Sequence, residues 1–174
     1  MPSGKTHDRI TFLLIAPTFI AAYMLSYKLE VSLLASLAML FGGLMFGPDL
    51  DINSRQYYRW GPLRLLWWPY QKIFSHRSIF THGILIGTIL RIGYFFLVIT
   101  LVTFIGIYLL QFWQGKEPDT EFLLSNIISQ ILTIIQVIPG NCLIATLLGI
   151  WLGAASHTLA DLITTTFKQI IKSL

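Results

Sequence analysis

The sequence is poor in charge and in cysteine, and both shortages narrow the class of protein. Only 11% of its 174 residues are charged, against about 25% in soluble domains, so few side chains are available to cover a water-facing surface. The hydrophobic content of 55% and the mean hydropathy of +0.69 favour a membrane protein. The single cysteine, Cys142, excludes an internal disulfide and a thiolate metal cluster.

Acidic residues are also scarce, and the resulting net charge of +4 could indicate nucleic-acid binding. The distribution of the charges indicates something else. Lys and Arg precede the first apolar run, fill residues 55–77 and follow the last run, whereas the connections at 28–30 and 116–121 are neutral or acidic. This alternation follows the positive-inside rule and predicts cytoplasmic termini. We therefore expect membrane lipids as partners and no nucleic acid.

Long apolar runs predict an all-α, multi-pass membrane bundle. We expect a single domain over 1–174, in which an antiparallel helix hairpin covers 10–47 and a longer one covers 79–167. Gly47 and Pro48 end the second apolar run. Arg91 is expected to mark the membrane interface, and Pro139 to interrupt the return of the long hairpin. The sequence leaves open how much of 122–138 crosses the bilayer.

The connector between the hairpins, residues 48–78, is basic and aromatic. Short apolar patches alternate there with Arg, Lys, Trp and Tyr. This composition is typical of a segment that lies on anionic lipid at the membrane surface. A soluble loop is the alternative.

The few polar residues of the hairpins are expected to meet at one end of the bundle. Positions equidistant from a hairpin turn lie side by side. His7 and Asp49 lie 22 and 20 residues from a first turn near residue 29, and His82 and His157 lie 36 and 39 residues from a second turn near residue 118. All four histidines and three aspartates therefore converge on the cytoplasmic face: His7, Asp49, Asp51, His76, His82, His157 and Asp161.

These residue types predict a metal centre. His157 and Asp161 share a helix face at i and i+4, and the set supplies nitrogen and oxygen donors without a thiolate, as Zn²⁺, Mn²⁺ or Fe would require. Seven donors are enough for one ion or for two ions bridged by an aspartate. Two-metal sites activate a water and clamp a phosphoryl or acyl centre. Asp51 or Asp161 could act as general base if not ligating, and Arg77 could stabilise an anionic transition state or bind lipid phosphate.

Four short motifs resemble those of the membrane-bound metal-dependent hydrolases, a group that includes LexA-binding, inner-membrane-associated hydrolases. The motifs are Pro2-Ser3-Gly4-Lys5-Thr6-His7, Phe46-Gly47-Pro48-Asp49-Leu50-Asp51, His76-Arg77-x-x-x-Thr81-His82 and Ser156-His157-x-x-x-Asp161. The first two are more similar to a branch described only as uncharacterised metal-binding proteins. The resemblance covers nearly the whole chain and implies a helical membrane protein with a metal site and hydrolase activity.

The function expected from the sequence is hydrolysis of a lipid, phosphoester or other small molecule by a metal-activated water at the membrane surface. Zinc is the favoured ion, with manganese or iron as alternatives. A metal transporter or sensor, or a non-catalytic metal-binding membrane protein, is the rival interpretation. The apolar runs carry few polar residues through the bilayer depth, which disfavours transport.

Overall fold

The computed structural model describes residues 3–173, so Met1, Pro2 of the first motif and Leu174 lie outside the described residues. The described chain is helical and contains no strand, which confirms the all-α class. Its α-helices are α1 Gly4–Ser26, α2 Leu29–Leu44, α3 Arg55–Arg59, α4 Trp68–Ile73, α5 Ile79–His82, α6 Ile86–Trp113, α7 Thr120–Val137 and α8 Gly140–Ser173. Two 3₁₀ helices, Pro48–Asp51 and Gly61–Trp67, belong to the connector.

Five segments of the described chain are long and apolar enough to cross a membrane: α1, α2 with its 3₁₀ extension, α6, α7 and α8. The first of them has clear end signals. Ser3 caps α1 by accepting a hydrogen bond from the Thr6 amide, and Tyr27 ends it in the left-handed conformation at φ 55°. The break expected at Pro139 is confirmed, since α7 stops at Val137 and α8 begins at Gly140.

Helix α2 is the centre of the bundle and packs between α1 and α8. Two glycines of α8 allow the close approach. A Cβ at Gly149 would collide with the Ala35 carbonyl, and one at Gly153 would collide with the Met39 carbonyl. Because the later glycine of α8 meets the later turn of α2, the two helices run in the same direction. This register brings the end of α2 level with His157.

The connector has a buried face that the sequence interpretation did not foresee. Five buried residues of the connector and one just before it form a largely aromatic core, which we call the aromatic core: Phe46, Leu50, Tyr57, Trp60, Trp67 and Tyr70. Hydrogen bonds fasten this core, because the Trp60 indole donates to the Met45 carbonyl at 2.8 Å and the Tyr94 hydroxyl donates to the Leu66 carbonyl at 2.6 Å. The opposite face is exposed and apolar, at Leu63, Leu65, Trp68 and Ile73. The expectation of a membrane-surface segment therefore applies to this second face only.

Arg91 lies inside the protein rather than at an exposed interface. Its side chain is 1% exposed, and it donates to the Thr81 carbonyl at 2.6 Å and to the Thr88 hydroxyl at 3.2 Å. The reason is that the first turns of α6 pack against the aromatic core, which turns residue 91 inwards. Burial raises the pKa of the neighbouring Tyr70, although the Arg91 guanidinium partly opposes this shift.

The helices of the long hairpin expected over 79–167 are present, but they pack differently from a simple pair. Helix α8 lies chiefly along α2, and its contact with α6 is confined to a short stretch. Two residues before α6, the Ile84 carbonyl accepts a hydrogen bond from the Trp151 indole at 3.0 Å. The glycines of α8 explain the preference, because they admit the backbone of α2 more closely than α6 can approach.

Candidate metal centre

The structure brings all seven predicted ligands together at one end of the bundle. Helix α1 carries His7 in its first turns, and the 3₁₀ helix after α2 carries Asp49 and Asp51. His76 precedes α5 and His82 ends it. Helix α8 presents its two residues one turn apart. Six of the seven residues form two clusters, which we call the inner cluster (His7, His157 and Asp161) and the outer cluster (Asp49, His76 and His82). Asp51 belongs to neither cluster.

The inner cluster is closed to solvent. Nε2 of His7 lies 3.2 Å from Oδ1 of Asp161, and Nε2 of His157 lies 3.7 Å from Oδ2 of the same carboxylate. The two imidazole rings stack in parallel with centroids 3.6 Å apart. Side-chain exposure is 6% for His7, 3% for His157 and 9% for Asp161. Any ion held here is surrounded by protein.

The outer cluster is open to solvent on one side. Its three side chains can each place one donor atom within 4.8 Å of the others. Exposure reaches 33% for the His76 side chain and 22% for Asp49, and falls to 11% for His82. The His76 and His82 rings meet edge to face, with centroids 4.9 Å apart.

Asp49 joins the two clusters. Its Oδ2 lies 3.3 Å from Nε2 of His157, and its Oδ1 lies 3.5 Å from Nε2 of His82. One carboxylate therefore faces both groups with separate oxygens. This is the arrangement that a bridging aspartate between two ions would have.

The nitrogen and oxygen atoms of the two clusters are spaced as ligands of a metal ion, and several of them form no hydrogen bond within the protein. Nε2 of His82, Nε2 of His157 and Oδ1 of Asp161 are buried and have no hydrogen-bond partner, although other donors lie 3.2–3.7 Å away. Ligand atoms about 2.0–2.2 Å from one tetrahedral ion lie about 3.3–3.6 Å apart. The spacing matches such a shell, and buried donors without partners would otherwise cost free energy. The residues present thus fit an ion in each cluster.

Asp51 is placed to orient histidines. Its side chain has no exposed surface, Oδ1 lies 2.9 Å from Nδ1 of His76, and Oδ2 lies 3.6 Å from Nδ1 of His82. The Thr81 hydroxyl lies 3.0 Å from the same nitrogen of His82. A carboxylate behind the Nδ1 atoms leaves the Nε2 atoms free to ligate, as in carboxylate–histidine–metal triads.

Sequence reasoning missed Gln56 as a neighbour of the centre. The Gln56 side chain is buried, its amide nitrogen donates to the Gly43 carbonyl at 2.7 Å, and the same nitrogen lies 3.3 Å from Nδ1 of His157. Gly47 makes room for it, because a Cβ there would collide with the amide. The sequence shows a glycine at position 47, but it does not indicate that the Gln56 side chain packs against that glycine.

Three arginines lie near ligand residues, either through an ion pair with Asp8, which follows His7, or next to His76 in the chain. Asp8 accepts hydrogen bonds from Arg55 at 2.8 Å and from Arg59 at 2.7 Å, which ties α1 to α3. Arg59 also donates to the Leu44 carbonyl at 2.8 Å. Arg77 is exposed and adopts a left-handed backbone at φ 63° directly after His76. In the chain it follows the most exposed residue of the outer cluster.

The helical fold and the paired His/Asp clusters define a helical metal-binding protein. Comparison with known families agrees: the chain belongs to the family described as "Uncharacterized metal-binding protein", which matches residues 2–171. This match confirms the metal-binding branch of the resemblance, and it carries no hydrolase or LexA-binding description. No curated protein and no solved structure matches the chain.

Proposed function

We propose that the protein is an integral membrane metalloenzyme whose two-ion centre lies at the cytoplasmic face and hydrolyses a substrate held at the membrane surface. Five apolar helices support the membrane placement, and the alternation of basic and acidic connections supports the orientation. Zinc is the ion that we favour, because the donors are nitrogen and oxygen at tetrahedral spacing. Manganese and iron accept the same donors.

The observation that carries the proposal is the difference between the two clusters. With Oδ2 of Asp49, the inner cluster has four donors and is buried, which is typical of a structural site. With Oδ1 of Asp49, the outer cluster has three donors and faces solvent on the side of His76. Three protein ligands and an open position are typical of catalytic sites.

An ion bound at the outer cluster would supply a Lewis acid and an activated water. The protein supplies position and charge. Asp51 holds His76 and His82 through their Nδ1 atoms, and Asp161 contacts the inner histidines. Neither carboxylate faces the open side, so in this proposal Asp51 orients histidines, Asp161 is a ligand of the inner ion, and neither acts as a general base on substrate. Arg77, the exposed residue that follows His76, would meet an anionic substrate.

The surroundings of the outer cluster favour a phosphoester carried by a lipid or a small molecule. Exposed apolar side chains of α5, Ile79 and Phe80, lie next to Arg77 in the chain. Lys72 places its ammonium group 6.0 Å from the centre of the Trp68 ring on the exposed face of the connector. Aromatic and basic groups together are suited to the headgroup region of a membrane.

The decisive experiment combines metal analysis with a hydrolysis screen on the protein purified in detergent. We expect two ions per chain, and cleavage of phosphoester or lipid probes that His76→Ala reduces strongly. Glu117→Gln, in the loop before α7, is the matched control and should retain both ions and the activity. Protein that binds two ions but cleaves none of the probes, and instead moves metal into proteoliposomes, would identify a transporter.

A further inference from the structure

We propose that α7 does not cross the membrane but lies flat on the leaflet opposite the metal centre, with its apolar face in lipid. This inference rests on the membrane placement in the proposed function and is independent of any catalytic activity. It reduces the number of spans to four, although five segments are apolar enough by composition.

The first step is the direction of α8. Asn141, at its start, lines the same cavity as Leu25 and Ser26 at the end of α1. His157, four turns later, contacts Asp49. Helix α8 therefore begins at the end of the bundle remote from the metal centre and runs towards the centre, as α2 does.

The second step is that α6 already provides the crossing to the remote end. Its first turns lie at the metal end, where Arg91 bonds to the Thr81 carbonyl. It runs antiparallel to α8, because Trp151 meets Ile84 and the earlier Leu147 lies beside α6 residues further along the chain. A helix of 28 residues is about 42 Å long, more than a bilayer core requires.

The third step follows from the other two. Helix α6 delivers the chain to the remote end, and α8 leaves from the remote end. The two ends of α7 therefore belong to the same side, and a full crossing by α7 would place the start of α8 at the wrong face. Thr120 and Glu121, in the first turn of α7, share a cavity with Thr100 and Leu101 of α6, so the chain turns back beside α6 before α7 begins.

The chemistry of α7 agrees with a position at the interface. It has the lowest hydropathy of the five segments. One face packs on α6 through the buried Leu123 and Ile127. The polar residues share one arc that is exposed, and two of them, Asn126 and Gln130, also line a cavity shared with α6; the arc consists of Ser125, Asn126, Ser129, Gln130, Thr133 and Gln136. Amides exposed to hydrocarbon would cost free energy, whereas at the surface this arc meets water while the apolar arc enters lipid.

The polar arc also predicts which lipids matter. Helix α7 contains no Lys or Arg, so it lacks the charges by which many interfacial helices bind anionic lipid. We infer that it partitions through its apolar face alone. Its position should be the same in vesicles of zwitterionic phosphatidylcholine and in vesicles that contain phosphatidylserine.

Site-directed spin labelling in phosphatidylcholine vesicles tests this position. In a Cys142→Ser background, single cysteines replace Ser125, Thr133 and Gln136 on the polar arc and Leu124 and Ile128 on the apolar arc. We expect the polar positions to be water-accessible and the apolar ones to lie about 5–10 Å deep, with no trend along the helix. A crossing helix would instead change depth by about 16 Å between Ser125 and Gln136, and that result would overturn the inference.

Labelling with a membrane-impermeant maleimide provides the control for sidedness. Lys116→Cys and Gln136→Cys should react from one side of the vesicle and Lys72→Cys from the other. Reaction of Gln136→Cys from the Lys72 side would overturn the flat position of α7 alone. Reaction of Lys116→Cys and Lys72→Cys from the same side would contradict the membrane arrangement of the proposed function, so the two failures are distinguishable.

Discussion

Oδ2 of Asp49 lies 3.3 Å from Nε2 of His157, while the other oxygen of the same carboxylate faces the outer cluster. One side chain is thus shared between a buried set of donors and an open one. This sharing has a measurable consequence, because removal of the carboxylate removes a donor from both clusters at once.

Asp49→Ala is expected to reduce the bound metal from two ions per chain to one or none. The outer cluster keeps only two donors after the change, and the inner cluster keeps three. Elemental analysis of the purified protein measures the stoichiometry, with Glu117→Gln as a control for the loss of one carboxylate far from the centre. Two ions retained in Asp49→Ala would show that Asp49 is not a bridge.

The two ions should leave the protein at different rates. Inner side chains are 3–9% exposed and outer ones 11–33%, so a chelator reaches the outer ion first. A time course with EDTA should release metal in two phases of equal amplitude. His76→Ala should lack the fast phase and keep the slow one. Loss of the slow phase in that variant would contradict the assignment of His76 to the outer cluster.

Asp51→Asn should weaken the outer ion without removing a donor from the inner cluster. The asparagine keeps the shape of the side chain but not the charge that fixes the Nδ1 protons of His76 and His82. Changes of this kind cost about 10- to 100-fold in metal affinity. Competition titration with a fluorescent zinc chelator measures the affinity of each ion. An equal loss at both ions would indicate general misfolding instead of local orientation.

The membership of the centre could be predicted from the sequence, but the pairing of its residues could not. Histidines and aspartates are conspicuous in an apolar chain, and hairpin spacing placed them at one end. The same spacing paired His7 with Asp49, and the two do interact electrostatically, but the spacing did not predict that His7 stacks on His157. The difference arises because the glycines of α8 let it pack along α2 beside α1, a preference that distances from a turn do not contain.

The aromatic core and the burial of Arg91 could not be predicted from the sequence either. An arginine in an apolar run is typical of an interface, and a segment rich in Trp and Tyr is typical of lipid contact. In the structure the core covers the first turns of α6, so Arg91 bonds to the Thr81 carbonyl next to His82. Such contacts depend on tertiary packing, since residues 81 and 91 have no local pattern that links them.

Alanine substitutions at two helical glycines, one at the contact between α2 and α8 and one away from it, test the packing of these two helices. Gly153 and Gly106 both lie inside helices, but a Cβ at Gly153 would meet the backbone of Met39 and Gly43, and one at Gly106 would meet nothing within 4 Å. Gly153→Ala should lower stability by about 1–3 kcal/mol through overpacking and, by displacing His157, weaken the inner ion.

Gly106→Ala should be neutral or stabilise the protein by about 0.5–1 kcal/mol, because alanine is the better helix former. Thermal unfolding in detergent, followed by circular dichroism with and without added zinc, measures both effects. The zinc-dependent rise in the unfolding temperature should shrink in Gly153→Ala and persist in Gly106→Ala. If Gly153→Ala lowered the unfolding temperature but kept the full zinc-dependent rise, the metal centre would not depend on the register between α2 and α8.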